Sequence, residues 1–196
     1  MAPAAKHRES LLSASAALFQ RQGYAATGLA EILADSGAPK GSLYHYFPAG
    51  KEAIADEAIR IAGANTEQRI RAATARAPTL SAFVAAYANA LSNMMSGSGF
   101  SRGCPIATIA LEAAPQSARL TQACNDVFAS WGAAIADRLA AAGIAPPRAA
   151  ELAEVMMCTF QGALVLARVQ QNTKPIATAA AEITRLFEIE LQGTSQ

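Results

Sequence analysis

Apolar residues recur along this chain at intervals of three and four, the spacing of one face of a helix, and glycines and prolines punctuate the runs. Between His7 and Gln22, the positions Leu11, Leu12, Ser15, Leu18 and Phe19 form one narrow stripe, and Gly23 closes it as a residue just past a helix C-terminus. Thr27 offers a hydroxyl N-cap for a short second helix, with Leu29, Ile32 and Leu33 inward and Gly37 as its stop. Pro39 suits the first position of a third helix, since its missing N–H is one that a helix start leaves unpaired. That helix runs from Lys40 to about Phe47, with Leu43 and Phe47 facing the core at i and i+4, and Pro48 and Gly50 break it. Three short helices, the last two joined by a tight turn, predict a helix-turn-helix bundle in residues 1–50.

Longer helices are expected beyond it. One runs from Lys51 to about Arg76, and the next from Thr79 or Ser81 to near Met95, before the loop Ser96-Gly97-Ser98-Gly99. A short helix covers Pro105 to Ala113, and a long one Gln116 to Ala142, closed by Gly143. The last two start at Pro146 or Pro147 and at Lys174 or Pro175, ending near Asn172 and Leu191. The expected fold class is therefore all-α, with about nine helices: a three-helix bundle, then a larger helical domain over residues 51–196.

Composition supports this. Alanine, the best helix former, fills 49 positions, while valine fills five. The whole chain carries a net charge of +1, which says nothing of a nucleic-acid partner; residues up to Lys51 carry a small positive excess and the rest a small negative one. The three cysteines, Cys104, Cys124 and Cys158, are too few and too far apart for a disulfide framework or a zinc site. Charged residues follow the N-terminus at once, with no apolar signal core. The nearly uncharged run Val155 to Ala167 is shorter than the roughly 20 residues a bilayer span needs. The expected location is the cytoplasm, without a membrane partner.

The stretch Thr27 to Lys51 has more polar and aromatic content than a buried helix needs. Leu43 and Phe47 suffice to anchor the third helix, leaving Lys40, Ser42, Tyr44, His45 and Tyr46 on or near its outer surface. Gly41 has no side chain to keep the backbone off a partner. A cation, a hydroxyl and aromatics at a helix start suit phosphates, base edges and thymine methyls. Solvated surface residues and core-edge tyrosines are the plain alternative, and periodicity does not separate the two.

The run G-x-x-K-G-S-L-Y-H-Y-F from Gly37 to Phe47, with Leu18-Phe19, Gly23-Tyr24 and Thr27 before it, resembles the DNA-binding segment of the TetR family of bacterial regulators. The resemblance implies double-stranded operator DNA as partner. It implies Lys40, Gly41, Ser42 and Tyr44 in the major groove, Thr27 on a phosphate, and His45, Tyr46 and Lys51 near backbone phosphates. Two departures, Pro39 at the cap and the long turn Pro48-Ala49-Gly50, resemble the LmrA and YxaF subgroup, as do R-G-C-P-I at Arg102–Ile106 and Q-G-A-L-V-L-A-R at Gln161–Arg168.

An enzyme is not expected. Both histidines, His7 and His45, lie in the presumed DNA-binding part, and no nucleophile with a base or phosphate-cradling loop stands out. Neither a cofactor nor a metal is expected. Cys104, between Gly103 and Pro105, is placed at a helix start, where it is either a reactive thiol or a small packed residue. Met94, Phe100, Cys104, Ile109, Phe128, Trp131, Met157, Phe160 and Gln161 are candidates for a small-molecule pocket, although most of them would serve equally as core. Val155, Thr159, Gly162, Ala163, Leu166 and Val169, with Leu186 and Ile189 on the last helix, form stripes that suit either packing within the chain or, as the resemblance implies, a two-fold homodimer. The resulting expectation is a DNA-binding repressor released by an apolar or aromatic effector. The rivals are an activator or a regulator with no small ligand, and, from another class, a helical small-molecule-binding protein with a vestigial N-terminal bundle.

Overall fold

The structure is a computed structural model that describes residues 3–193. Among them are nine α-helices and no strand: α1 Pro3–Gln22, α2 Leu29–Ser36, α3 Lys40–Tyr46, α4 Lys51–Arg76, α5 Leu80–Gly97, α6 Pro105–Ala113, α7 Ala118–Ala141, α8 Pro146–Gln170 and α9 Lys174–Gly193. A 3₁₀ turn, Ala114–Gln116, separates α6 from α7, so α7 starts at Ala118, two residues after the expected start at Gln116. Pro115 within it removes an N–H and forces the break.

Contacts group the chain into two compact units, residues 1–64 with 104–127, and residues 65–103 with 128–196. In the first, α1 buries Leu11, Leu18 and Phe19 along the expected stripe. Ser15 joins them because its hydroxyl donates to the Leu11 carbonyl at 2.7 Å, which satisfies it without solvent. Ile32 of α2, Leu43 of α3 and Ile54 and Ile59 of α4 complete this core. Gly63 of α4 lies against α7: a Cβ added there would come within 2.3 Å of Val127 Cγ2.

In the second unit α9 packs on both α8 and α5. Tyr87 bridges α5 and α8, with its ring edge-on to Phe160 at 5.0 Å and tilted to Phe83 at 6.4 Å. Arg148 at the start of α8 reaches Glu190 of α9 at 3.1 Å. Thr79 caps α5 by accepting from the Ala82 N–H at 3.1 Å, one of the two starts expected for it.

Helix α8 is apolar on two sides. Its inner side buries Leu152, Met156, Phe160 and Leu164, while Val155, Val165, Leu166 and Val169 remain exposed. One 18-residue window of α8 has mean hydropathy 1.4, so by length and composition alone the helix is apolar enough to cross a membrane.

Candidate nucleic-acid interface

α2 ends at Gly37, whose φ of +63° makes the left-handed turn and sends its N–H back to the Leu33 carbonyl. Ala38 is buried in the turn, and its N–H is accepted by Ser36 Oγ at 3.2 Å. Pro39 follows with φ −58° as the N-cap of α3, one residue outside the first helical position expected for it. Leu43 and Phe47, 0 % and 2 % exposed, fix the inner side of α3.

That anchoring turns the other side outward. Tyr44 is 52 % exposed, and Lys40, Gly41 and His45 are exposed with it. The His45 ring stands edge-on to Tyr46 at 4.8 Å, which restrains both. Ser42 and Tyr46 are half-buried. Gly41 has open space where a Cβ would go, so nothing within the chain demands glycine there. Lys40 has no carboxylate partner among the described residues, whereas Arg21 approaches Glu31 and Asp35 of α2 at 3.8 and 3.9 Å and partly neutralises them. The outer side of α3 thus offers one uncommitted cation, aromatic edges and donors, and no carboxylate.

Two of the residues expected beside DNA point inward. Thr27 is only 1 % exposed, and its hydroxyl donates to the Gly23 carbonyl at 2.7 Å instead of capping α2. The cap position belongs to Gly28, which makes no side-chain bond. A threonine hydroxyl can satisfy itself on a carbonyl four residues back as readily as on a helix start, and here burial selects the former. Lys51 Nζ donates to the carbonyls of Tyr24 and Thr27 at 3.0 and 2.9 Å and sits 4.4 Å from the Tyr24 ring centroid. Burial, and then the Glu52 carboxylate, push the Tyr24 phenol above its ordinary value, so it stays a neutral ring under the ammonium.

The turn Gly23–Thr27 is also held by a residue that sequence reasoning missed. Glu112 of α6 accepts the Ala25 N–H at 2.7 Å, and its carboxylate occupies the space a Gly23 side chain would need. Gly23 has φ +89°, a left-handed backbone conformation that favours glycine. An ammonium on two carbonyls and a carboxylate on an amide therefore fix the turn that starts α2.

The other candidates fall in different places. Cys104 and Ile109 belong to the first unit, and Met94, Phe100, Phe128, Trp131, Met157, Phe160 and Gln161 to the second. Ile109, Trp131 and Phe160 are buried, and the rest are half-buried. Phe128 and Trp131 stack edge-to-face at 5.6 Å, and Met157 Cε fills the space above Gly132 on the next turn of α7. Cys104 is the N-cap residue of α6, and burial pushes the thiol of Cys124 up, with Cys104 adding to the shift. Of the interface candidates, Val155, Leu166, Val169 and Ile189 are 43, 52, 76 and 60 % exposed, Gly162 is open, and Thr159 and Leu186 are half-buried. Ala163 is 5 % exposed and packs within its own unit.

Comparison with known proteins agrees with this architecture. Residues 11–58 match the family profile described as bacterial regulatory proteins, tetR family, and residues 80–182 match the C-terminal domain of LmrA/YxaF-like transcriptional regulators. The HTH-type transcriptional regulator LmrA of Bacillus subtilis is 34 % identical over 92 % of this chain and 96 % of its own length. An uncharacterised HTH-type regulator of Mycobacterium tuberculosis is 34 % identical over 96 % of this chain and 98 % of its own. Among solved structures, a regulatory protein TetR from Rhodobacter sphaeroides superposes with a TM-score of 0.79 at 23 % identity, covering 90 % of this chain and 96 % of that one. The reduced form of Escherichia coli NemR gives the same score and identity over 91 % and 96 %. The chain belongs to the TetR family of helix-turn-helix transcriptional regulators, with a C-terminal domain of the LmrA/YxaF-like kind.

Proposed function

We propose that the chain is a repressor that binds operator DNA as a homodimer and is released by an apolar or aromatic effector. Residues 1–50 form its DNA-binding domain and residues 51–196 its ligand-binding and dimerisation domain. The observation that carries the DNA reading is the outward side of α3, where Lys40, Tyr44 and His45 are exposed while Leu43 and Phe47 hold the helix. Lys40, Gly41, Ser42 and Tyr44 read the major groove, and His45 and Tyr46 lie by the phosphates. Thr27 and Lys51 act from inside by setting the turn before α2, whose first backbone N–H groups lack intrahelical acceptors and favour a phosphate. Two α3 helices of a dimer would sit about 34–36 Å apart, one turn of DNA.

The exposed stripe of α8 and Ile189 of α9 supports the dimer. Between these helices lies a groove of about 580 Å³, with Gly162 and Leu166 in its lining. Isolated exposed apolar residues are ordinary, but a continuous stripe asks for a partner. The effector is proposed to bind among Met94, Phe100, Phe128, Trp131, Met157, Phe160 and Gln161 of the second unit. These side chains offer area and almost no charge, so a highly charged effector would lose hydration without compensation. Location in the cytoplasm and the absence of catalysis follow from the same reading.

The test combines a gel shift on the fragment upstream of the protein's own gene with fluorescence of Trp131, the only tryptophan. Flat aromatic compounds should quench Trp131 and release DNA over the same concentration range. Quenching without release would mean binding that does not select between the two states, and so no induction.

A further inference from the structure

The last two turns of α4 and the first turns of α5 border an open surface cleft of about 460 Å³, a volume that suits a small molecule. It exists because the facing side chains are small: Ala72, Ala73 and Ala77 on one wall, and Ala82 and Ala86, one turn apart, on the other. Arg69 and Arg76 stand at its two ends. They are seven residues apart on α4, hence on the same side of the helix and about 10 Å apart along its axis.

These arginines are unlike most in the molecule. Among the described residues, seven of the twelve arginines are ion-paired with a carboxylate. Arg71, between the two, is neutralised by Glu67 at 2.8 Å and Asp137 at 3.2 Å. Arg69 and Arg76 have no such partner, and no carboxylate lines the cleft. A third unpaired arginine reaches the same junction: Arg138 Nη2 donates to the Ala77 carbonyl at 3.4 Å, and its buried Nε has no acceptor. Three of the five arginines without a carboxylate therefore gather where α4 meets α5. Arg138 is not in the lining of the cleft, but its charge adds to those of Arg69 and Arg76, and cations around an apolar slot create a positive field that favours an anion.

We propose that this cleft binds a small carboxylate with an apolar body. The carboxylate is held by Arg69 and Arg76, and a hydrocarbon chain or ring of about eight carbons lies on the alanine walls, a body that fits the volume. Guanidinium matches carboxylate geometry, and long arginine side chains at both ends can reach a group seated above Ala72 and Ala73. A phosphate ion would satisfy the arginines but leave the apolar walls wet, and a neutral alcohol would do the reverse. The site shares no residue with the proposed effector set, and its ligand differs from that effector in carrying a carboxylate.

The experiment is calorimetric titration of the full-length chain with octanoate, beside octan-1-ol, acetate and inorganic phosphate. Octanoate should bind saturably, and the other three more weakly. The double variant Arg69→Gln/Arg76→Gln should lose about tenfold in affinity, the sum expected of two solvent-accessible ion pairs. Both residues are exposed and unpaired, so the variant should keep the wild-type circular dichroism spectrum. Ala86→Phe, which fills the slot, should abolish saturable binding. The proposal is overturned if octanoate shows no saturable heat up to about 1 mM. It is equally overturned if the double variant binds octanoate as the parent does, or if octanol or phosphate binds as tightly as octanoate. None of these readings uses DNA, so they stand apart from the repressor proposal.

Discussion

Replacing Lys51 with Met keeps the apolar stem and removes only the ammonium. The ammonium makes two hydrogen bonds, to the Tyr24 and Thr27 carbonyls at 3.0 and 2.9 Å, and lies 4.4 Å from the Tyr24 ring centroid. A hydrogen bond to a charged group contributes about 1.5 kcal/mol at the low end, which suits a half-buried donor, and a cation–π contact at a partly exposed site adds about 0.5 kcal/mol. Water will reach the freed carbonyls in part, so the net loss should be about 2–3 kcal/mol of stability. Equilibrium urea unfolding at neutral pH measures this directly. The effect on DNA distinguishes an internal strut from a phosphate contact. A lost phosphate contact lowers the slope of log K against log salt by about 0.9, whereas a misplaced turn weakens affinity and leaves the slope alone. Lys51→Met should therefore unfold at lower urea, bind operator more weakly at every salt concentration, and keep the parent slope. Unchanged stability together with a slope reduced by about 0.9 would refute the reasoning and return Lys51 to the phosphate backbone.

Two further substitutions test the packing. A Cβ added at Gly162 meets nothing within 4 Å inside its own chain, so Gly162→Arg should fold with normal helicity but sediment as a monomer and lose operator binding; a dimer of wild-type affinity would exclude α8 from the interface. Gly63→Ala would place its Cβ 2.3 Å from Val127 Cγ2, and should cost about 1–3 kcal/mol in urea unfolding; a neutral result would mean that α4 and α7 are not so closely packed.

Which features the sequence made legible follows from how local they are. The first three helices are bounded by Gly23, Gly37, Pro39 and Pro48, each acting through its own backbone restriction, and their ends fall close to where the pattern puts them. The outward placement of Lys40, Tyr44 and His45 follows from two anchors one turn apart. Thr27 was readable only as a polar residue before a helix, because its hydroxyl had two comparable roles, accepting from an N–H of the helix start or donating to the carbonyl four residues back, and burial decided between them. The partners of Lys51 and Glu112 lie 24 to 87 residues away along the chain, and no local pattern encodes such pairs. Helix α8 is apolar on both sides, so periodicity could not separate Ala163, which packs inward, from Leu166, which does not. The arginine cleft was also invisible, since it depends on which arginines lack an acid once the chain is folded.

The central claim is that the outward side of α3 reads DNA, and Tyr44 tests it most directly. It is 52 % exposed and its ring is in none of the aromatic contacts found, so Tyr44→Ala should leave the fold and its stability intact. Fluorescence anisotropy would be measured for parent and variant on the labelled fragment upstream of the gene, at one fixed salt concentration, with a scrambled fragment as reference. The account predicts that the parent prefers the upstream fragment and that the variant binds both fragments alike, at the parent's non-specific level. A folded Tyr44→Ala variant that keeps the parent's preference would contradict it.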